Sequence, residues 1–403
     1  MNSDFEKFTQ AVQSRSNPTA PDLSPMAYQR VCVLGGGVEG RVLAALALAE
    51  NLEVVLFSAY GAELDRLRQD GSVTLRGEGP VGTFPVDQSA GPSIVTTAQL
   101  DHAVSEADVI FLTGPVHKQK TYAMVLADHL VDGQVLVVAP ARTFAALEVS
   151  WLLKTGGCKS RVSIVELSQL PYWIHAEHKH WHLSAVASIE GAGFPDGRMD
   201  RVNGLSPIFG SLQAKNSTIN SAFNDASGVI EAVAIMFGGS LIAEPNQTLP
   251  IGAIPLEERK TFHSLIDGAQ SQNLIKAALD ERRQVAKRYG VRDLPDDETW
   301  VSVQSGRPAG RGARPIPSLS EARTMLRCAV SGSLVPLQSA ARHMKLTTPI
   351  TDSLIHLAGA SLGFDLTAGG RRMDTMGLGQ WADADPGEIR KRVAAVSRGR
   401  SDG

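Results

Sequence analysis

As far as about residue 195, apolar residues fall in short unbroken runs; beyond it they recur at helical spacing. The unbroken runs are Val31 to Leu34, Val54 to Phe57, Val109 to Leu112 and Val135 to Ala139, with Val162 to Val165 interrupted only by Ser163. Between them lie helix-favouring stretches at Arg41 to Ala49, Lys120 to Leu130 and Phe144 to Leu153. Near-continuous apolar strands alternating with helices predict a parallel sheet covered on both faces. Two further segments, Gly71 to Leu75 and Thr83 to Val86, alternate around Gly77-Glu-Gly-Pro and predict a hairpin. Amphipathic runs at Ala222 to Phe237, Thr261 to Gly290, Ser320 to Cys328 and Ile350 to Leu362 predict a second, all-α domain. The expected fold is thus an α/β, doubly wound, mainly parallel Rossmann sheet over 29–195, followed by a helical substrate domain over 196–385. A polar, proline-bearing extension (1–28) precedes it and a charged tail (386–403) follows.

The first apolar run enters Gly35-Gly36-Gly37-Val38-Glu39-Gly40 and then the helical stretch from Arg41. Gly35, Gly37 and Gly40 have the G-x-G-x-x-G spacing of a dinucleotide-binding turn between a strand and a helix. Gly35 suits the positive φ of the turn, Gly37 leaves room for a pyrophosphate, and Gly40 lets helix and strand pack closely. A merely structural glycine turn is the alternative. An NAD-preferring fold usually carries an acid at the end of the second strand, bonding the ribose hydroxyls. Here Ser58 stands there, with Glu63 and Asp65 on the next helix and no arginine alongside. The cofactor is therefore expected to be NADP or NAD, with a slight lean to NADP. Ligands of such sheets gather at the carboxyl ends of the strands, where Gly114, Pro115, His117 and Arg142 also converge.

Composition sets limits. The 403 residues exceed one compact core, and a net charge of −3 gives no basis for a nucleic-acid or anionic-membrane partner. No apolar run is long enough to span a bilayer. Cys32, Cys158 and Cys328 are scattered, as free thiols in a cytoplasmic protein would be. Four of the ten histidines crowd into His175 to His182. On one strand His178, His180 and His182 would share a face, open to three readings: a metal site, a substrate-facing wall, or a solvated loop or subunit contact. No metal is expected. The loop Arg307 to Pro317 carries Arg307, Arg311 and Arg314, suited either to gripping an anion or to a solvated surface.

With these segments in place, the chain resembles the octopine/opine dehydrogenase family over roughly residues 30 to 380. The likeness is carried by Asp132 to Thr143 with Ala146-Leu-Glu148, and by Glu166-Leu-Ser-Gln-Leu-Pro-Tyr172. Leu334-Val-Pro-Leu, Thr347 to Asp352 and Gly370 to Leu378 extend it. The resemblance implies a Rossmann domain joined to a helical domain, and reduction by NAD(P)H of a C–N or C–O centre in a small carboxylate-bearing substrate. The family's histidine before a proline matches Gln247 to Pro255, which holds none; its aspartate is missing near Arg327 to Pro336. The resemblance is therefore to a divergent member, and altered chemistry on the same fold or a non-catalytic nucleotide binder stays open. Catalytic candidates are His263 and Asp267, four apart and so on one helix face, and His117 on the cofactor side. A homodimer is expected.

Overall fold

The protein is described here by a computed structural model, which covers residues 27–177, 179–242, 260–308, 311–381 and 383–399. Twelve strands are formed: β1 (Arg30–Leu34), β2 (Glu53–Phe57), β3 (Ser72–Gly77), β4 (Gly82–Pro85), β5 (Ile94–Thr97), β6 (Val109–Leu112), β7 (Val135–Val138), β8 (Ser163–Leu167), β9 (Tyr172–Glu177), β10 (His180–Ala185), β11 (Ile189–Phe194) and β12 (Leu212–Lys215). Eight of them build the main sheet in the order β12-β11-β8-β7-β6-β1-β2-β5. All its pairings are parallel except β11 with β8. The unbroken apolar runs follow from burial on both faces. Along β1, Cys32 and Leu34 enter one core and Val31 and Val33 the other. Ile110 and Leu112 divide from Val109 and Phe111 in the same way, as a period of two requires.

The longer helices are α1 (Val38–Ala49), α2 (Gly61–Asp70), α3 (Val116–Leu126), α4 (Ala145–Thr155), α5 (Thr218–Asn224), α6 (Ser227–Phe237), α7 (Ala269–Arg288), α8 (Asp297–Ser305), α9 (Leu319–Ala329), α10 (Val335–His343), α11 (Pro349–Leu362) and α12 (Pro386–Ser397). In the helical part, α6 is central: Val229, Ile230, Ala232, Val233 and Ala234 are all fully buried. A helix apolar on all sides is a core helix. A π-turn, Val330–Leu334, joins α9 to α10.

The structure departs from the sequence pattern in four places. The sheet does not stop at residue 195, because β12 pairs with β11 and extends it to Lys215. The charged tail holds the short helix its sequence suggests, α12, but that helix is docked rather than loose: it buries Ile389 and Val393, and its Ser397 hydroxyl donates to Asp196 Oδ2 at 2.8 Å. The histidine segment is a hairpin rather than one strand, so His182 lies opposite His175 and His180 opposite Glu177. That hairpin joins β3 and β4 in a separate four-stranded sheet. Finally, the run from Thr261 is not one helix. A 3-10 turn, Phe262–Leu265, is followed by a break at Gly268 before α7 begins.

Candidate active site

The glycine turn lies between β2 and β6, the neighbours of β1 on either side, where a parallel sheet opens a crevice at its carboxyl edge. Its three glycines have three different environments. Gly35 has φ +118°, which only glycine adopts comfortably. A Cβ on Gly40 would come within 1.9 Å of the Gly35 carbonyl oxygen. Gly37 has an ordinary φ of −72°, and a Cβ there would meet nothing within 4 Å. Nothing in the fold therefore requires glycine at this position. It also stands at the N-cap of α1, where no side chain bonds the open end of the helix. A bare, uncapped helix start with open space before it is a cradle for a phosphate.

The flanks of the turn are acidic. Glu39 accepts from Gly114 N–H at 3.0 Å, tying the turn to the loop after β6, and burial raises its pKa. Glu63 reaches back from α2 to accept from Gly36 N–H at 3.1 Å and from the Ser58 hydroxyl at 2.7 Å. A carboxylate thus does stand at the end of β2, although the sequence there shows only Ser58. The slight lean towards NADP rested on its absence and loses its basis.

Further along the carboxyl edge, the chain after β7 meets the first helices of the helical part. A narrow polar pocket of about 20 Å³ is lined by Ala141, Arg142, Glu166, Ser168, Glu190, Ser221, Asn224, Asp225 and Gln304. Arg142 donates to the Ser227 hydroxyl and to Glu231 Oε2, the latter at 2.8 Å. Burial works against its charge, but Glu231 and Asp225 outweigh that and hold its pKa above the ordinary value. Asp225 accepts from Thr143 N–H and Oγ1 at 2.8 and 2.9 Å and from the Ser227 and Ser333 hydroxyls. Burial would raise its pKa; Arg282, Arg142 and these donors bring it below the usual range instead. Glu231 is shared, because Arg314 Nη2 takes its other oxygen at 2.7 Å. Asn224 is fixed at both ends, accepting from Trp300 Nε1 at 2.8 Å and donating to Glu190. Glu166 is 1% exposed and accepts from Ala146 N–H at 2.9 Å; burial pushes its pKa up to about 7 against that bond and the nearby Ser221 hydroxyl.

The sequence-derived candidates divide. Gly35 to Gly40, Ser58, Gly114, Pro115 and Arg142 do gather on one edge of the sheet. His117 sits exposed in the first turn of α3 and does not line the pocket. Burial, then Arg327 and Lys118, lower its pKa, so it is neutral at neutral pH. His263 and Asp267 share no helix face, because the chain leaves its 3-10 turn between them. His263 Nδ1 instead faces the Ser305 hydroxyl at 3.1 Å, no bond joins it to Asp267, and neither residue lines the cleft. Residues 247–255 lie outside the described residues. Of the basic loop, Arg314 is buried on Glu231 while Arg307 and Arg311 are not. Among the described residues no group of three or more His, Cys, Asp or Glu is arranged around a metal position, and no helix is long and apolar enough to cross a membrane.

Sequence inspection missed Glu166, Asp225, Glu231 and Arg282 as a connected set. Glu231 did leave a signal, as the lone charge in the apolar run Val229-Ile-Glu-Ala-Val. The sequence marks Arg314 as one of three arginines in a breaker-rich loop and Arg282 as part of the helix-face run Asp280-Glu-Arg282, suited to packing or salt bridging, but it does not mark either as buried, since a surface arginine is spelled the same way.

The class defined by this fold is a dinucleotide-type parallel sheet joined to an α-helical part, with a polar cleft at their junction. No family model matches the chain. An opine dehydrogenase of Arthrobacter sp. (strain 1C) is 24% identical over 361 residues, covering 86% of this chain and 94% of that protein. Among solved structures, octopine dehydrogenase with NADH and pyruvate superposes with a TM-score of 0.67 at 16% identity, over 93% of this chain and 99% of the other. D-mandelate dehydrogenase with NADH gives 0.57 at 12% identity, over 83% and 99%. Yersinopine dehydrogenase with NADP+ gives 0.57 at 12%, over 93% and 99%. These likenesses establish the fold: a Rossmann-type sheet with a helical C-terminal part.

Proposed function

We propose that the protein is an NAD(P)-dependent oxidoreductase of the opine-dehydrogenase type, acting on a C–N or C–O centre of a small carboxylate-bearing substrate. The observation that carries this reading is Gly37, whose lack of a side chain serves no contact within the fold and clears the approach to an uncapped helix start. The named relatives support it: one is an opine dehydrogenase, and structurally similar enzymes hold NADH with pyruvate or L-arginine.

A bound nicotinamide would supply or take the hydride. The chain's own residues account for the remainder. Gly35 to Gly40, Gly114 and Pro115 would cradle the dinucleotide. Arg142, at the carboxyl edge of the sheet with its charge secured, is the candidate partner for a substrate carboxylate. Reduction leaves nitrogen or oxygen in need of a proton, and a donor works best with a pKa near the operating pH. Glu166, on the cleft wall with a pKa pushed up to about 7, meets that requirement. His117, exposed in the first turn of α3 and kept neutral by its surroundings, is the second candidate for that proton.

A second reading, the same fold with altered chemistry, is favoured by one feature: among the described residues no histidine lines the pocket. Cofactor binding and turnover separate the possibilities. Gly37→Val should abolish NADH and NADPH binding, followed by quenching of protein fluorescence, while leaving the melting temperature within about 2 °C, because its Cβ meets nothing. If the wild-type chain binds neither dinucleotide at millimolar concentration, the proposal fails. Binding of NAD(P)H without oxidation by any pairing of 2-oxo acid and amine would point to a non-catalytic binder.

A further inference from the structure

We infer that Glu63 makes this chain select NAD(H) over NADP(H), by occupying with a carboxylate the place where a 2′-phosphate would have to sit. The inference rests on the dinucleotide reading of the glycine turn and goes on to choose between its two cofactors. In such folds the adenosine ribose lies over the end of the second strand, and an acid there bonds its hydroxyls. In this chain β2 ends at Phe57, and its own sequence supplies only Ser58, fully buried beneath the turn.

The acid arrives from a different element. Glu63 lies in the first turn of α2, whose start at Gly61 brings the side chain back over the strand end. One carboxylate oxygen is fixed by two donors, Gly36 N–H at 3.1 Å and Ser58 Oγ at 2.7 Å. Ser58 Oγ in turn accepts from Tyr60 N–H at 3.1 Å, which directs its own proton to Glu63. The seat is close-fitting: a Cβ added to Gly36 would lie 2.9 Å from Glu63 Oε2 and 3.2 Å from Ser58 Cβ. The other oxygen, Oε1, faces Lys118 Nζ at 3.4 Å.

Two of the cations nearby, Arg41 and Lys118, are already engaged. Arg41 donates to the Gly36 carbonyl at 2.8 Å and to the Glu63 carbonyl at 2.9 Å, and its remaining nitrogen faces Asp70 at 3.6 Å. Lys118 is held by Glu63 and lies 4.7 Å from the centre of the exposed Tyr60 ring. A ribose hydroxyl can donate to Glu63 in this setting. A phosphate in its place would bring a second negative group against a carboxylate, with Arg41 and Lys118 already paired and only the exposed Arg66, whose charge reaches Arg41, left to offset it. The sequence alone suggested the opposite preference, because Glu63 is five residues beyond the position where such acids are sought.

The test is titration of the full chain with NADH and with NADPH, read by protein-fluorescence quenching. Wild-type protein should bind NADH at least about tenfold more tightly than NADPH. Glu63→Gln keeps the shape and a hydrogen-bond acceptor but removes the charge. It should bring the two affinities to within about threefold, mainly through tighter NADPH binding. A wild type that binds NADPH as tightly as NADH overturns the inference, and this measurement requires no variant to fold. A Glu63→Gln protein with an unchanged ratio of affinities also overturns it. If neither dinucleotide binds the wild type, the reading of the turn itself has failed, and the inference with it.

Discussion

Glu166 shows how far a single residue's chemistry depends on its setting. The sequence places it at the end of an apolar strand, an unexpected site for a charge. The structure buries it beside the start of α4, where Ala146 N–H meets one oxygen. Burial raises its pKa from 4.5 to about 7. For an acid with a raised folded-state pKa, the stabilising state is the protonated one. Its contribution is complete below the unfolded value and is lost as pH rises through the folded one. Wild-type stability should therefore fall by about 3 kcal/mol between about pH 4.5 and 7 on account of this group, and Glu166→Gln should remove that slope. Urea unfolding across this window checks it; an identical slope in the variant would show that Glu166 is charged throughout. If Glu166 is also the proton donor, the same variant should lose about a hundredfold in turnover while its NADH affinity stays put. At the glycine turn the sequence was more informative, because the three glycines differ in their local need and two of those needs are backbone geometry. Glu63 was not legible there, since a helix residue returned to a strand end only once the chain folded.

At the scale of elements, the interruptions do the positioning. The apolar run Ala222 to Phe237 reads as one helix, yet the chain breaks at Asp225-Ala226, between α5 and α6. Asp225 accepts from Ser227, Ser333 and Thr143 and so stitches the break to the π-turn and to the loop after β7. The buried Arg282 of α7 lies against the same knot, donating to Thr143 Oγ1 at 3.4 Å and to the Ser333 carbonyl at 3.3 Å. Asp225→Ala would leave both Arg282 and Arg142 short of a counter-charge in the interior, at a cost of about 3–5 kcal/mol. Asp225→Asn, which keeps an acceptor, should cost less. Chemical denaturation of both variants decides this, and an alanine variant within about 1 kcal/mol of wild type would mean that water or Glu231 already satisfies the arginines. The same logic explains His263 and Asp267: periodicity joined them, but a glycine-bounded turn set them apart.

Over the whole molecule, the two parts are not independent bodies. One hydrophobic cluster runs from Leu34, Ile110 and Leu136 of the sheet to Phe223, Val285, Leu337 and Met373 beyond it. Arg371, 1% exposed, binds Glu148 Oε2 at 2.7 Å and the Thr143 carbonyl at 2.7 Å, pinning the C-terminal loop to the start of α4. The tail completes the assembly by packing α12 against the sheet side. Removing residues 386–403 should cost about 3–6 kcal/mol, mainly from losing the burial of Ile389 and Val393 and uncovering the apolar surface they pack on, and should leave the remainder unfolding in a single transition. Calorimetry of the shortened chain tests this; an unchanged melting temperature would mean that the tail is only draped on the surface.

Residue order by itself determined the sheet, its parallel sense and the glycine turn, because unbroken apolar runs, intervening helical spacing and backbone freedom are local properties. It also determined that helices follow. It did not determine where the sheet ends, since β12 gains its identity from pairing with β11. Nor did it reveal which charges are buried. A buried arginine and a solvated one are spelled alike, and only the arrival of Glu231, Asp225 or Glu148 from distant segments makes burial tolerable. The cleft is therefore a tertiary product. The charged network around it draws on loops, strands and helices up to some 170 residues apart, as with Arg142 and Arg314, both held by Glu231.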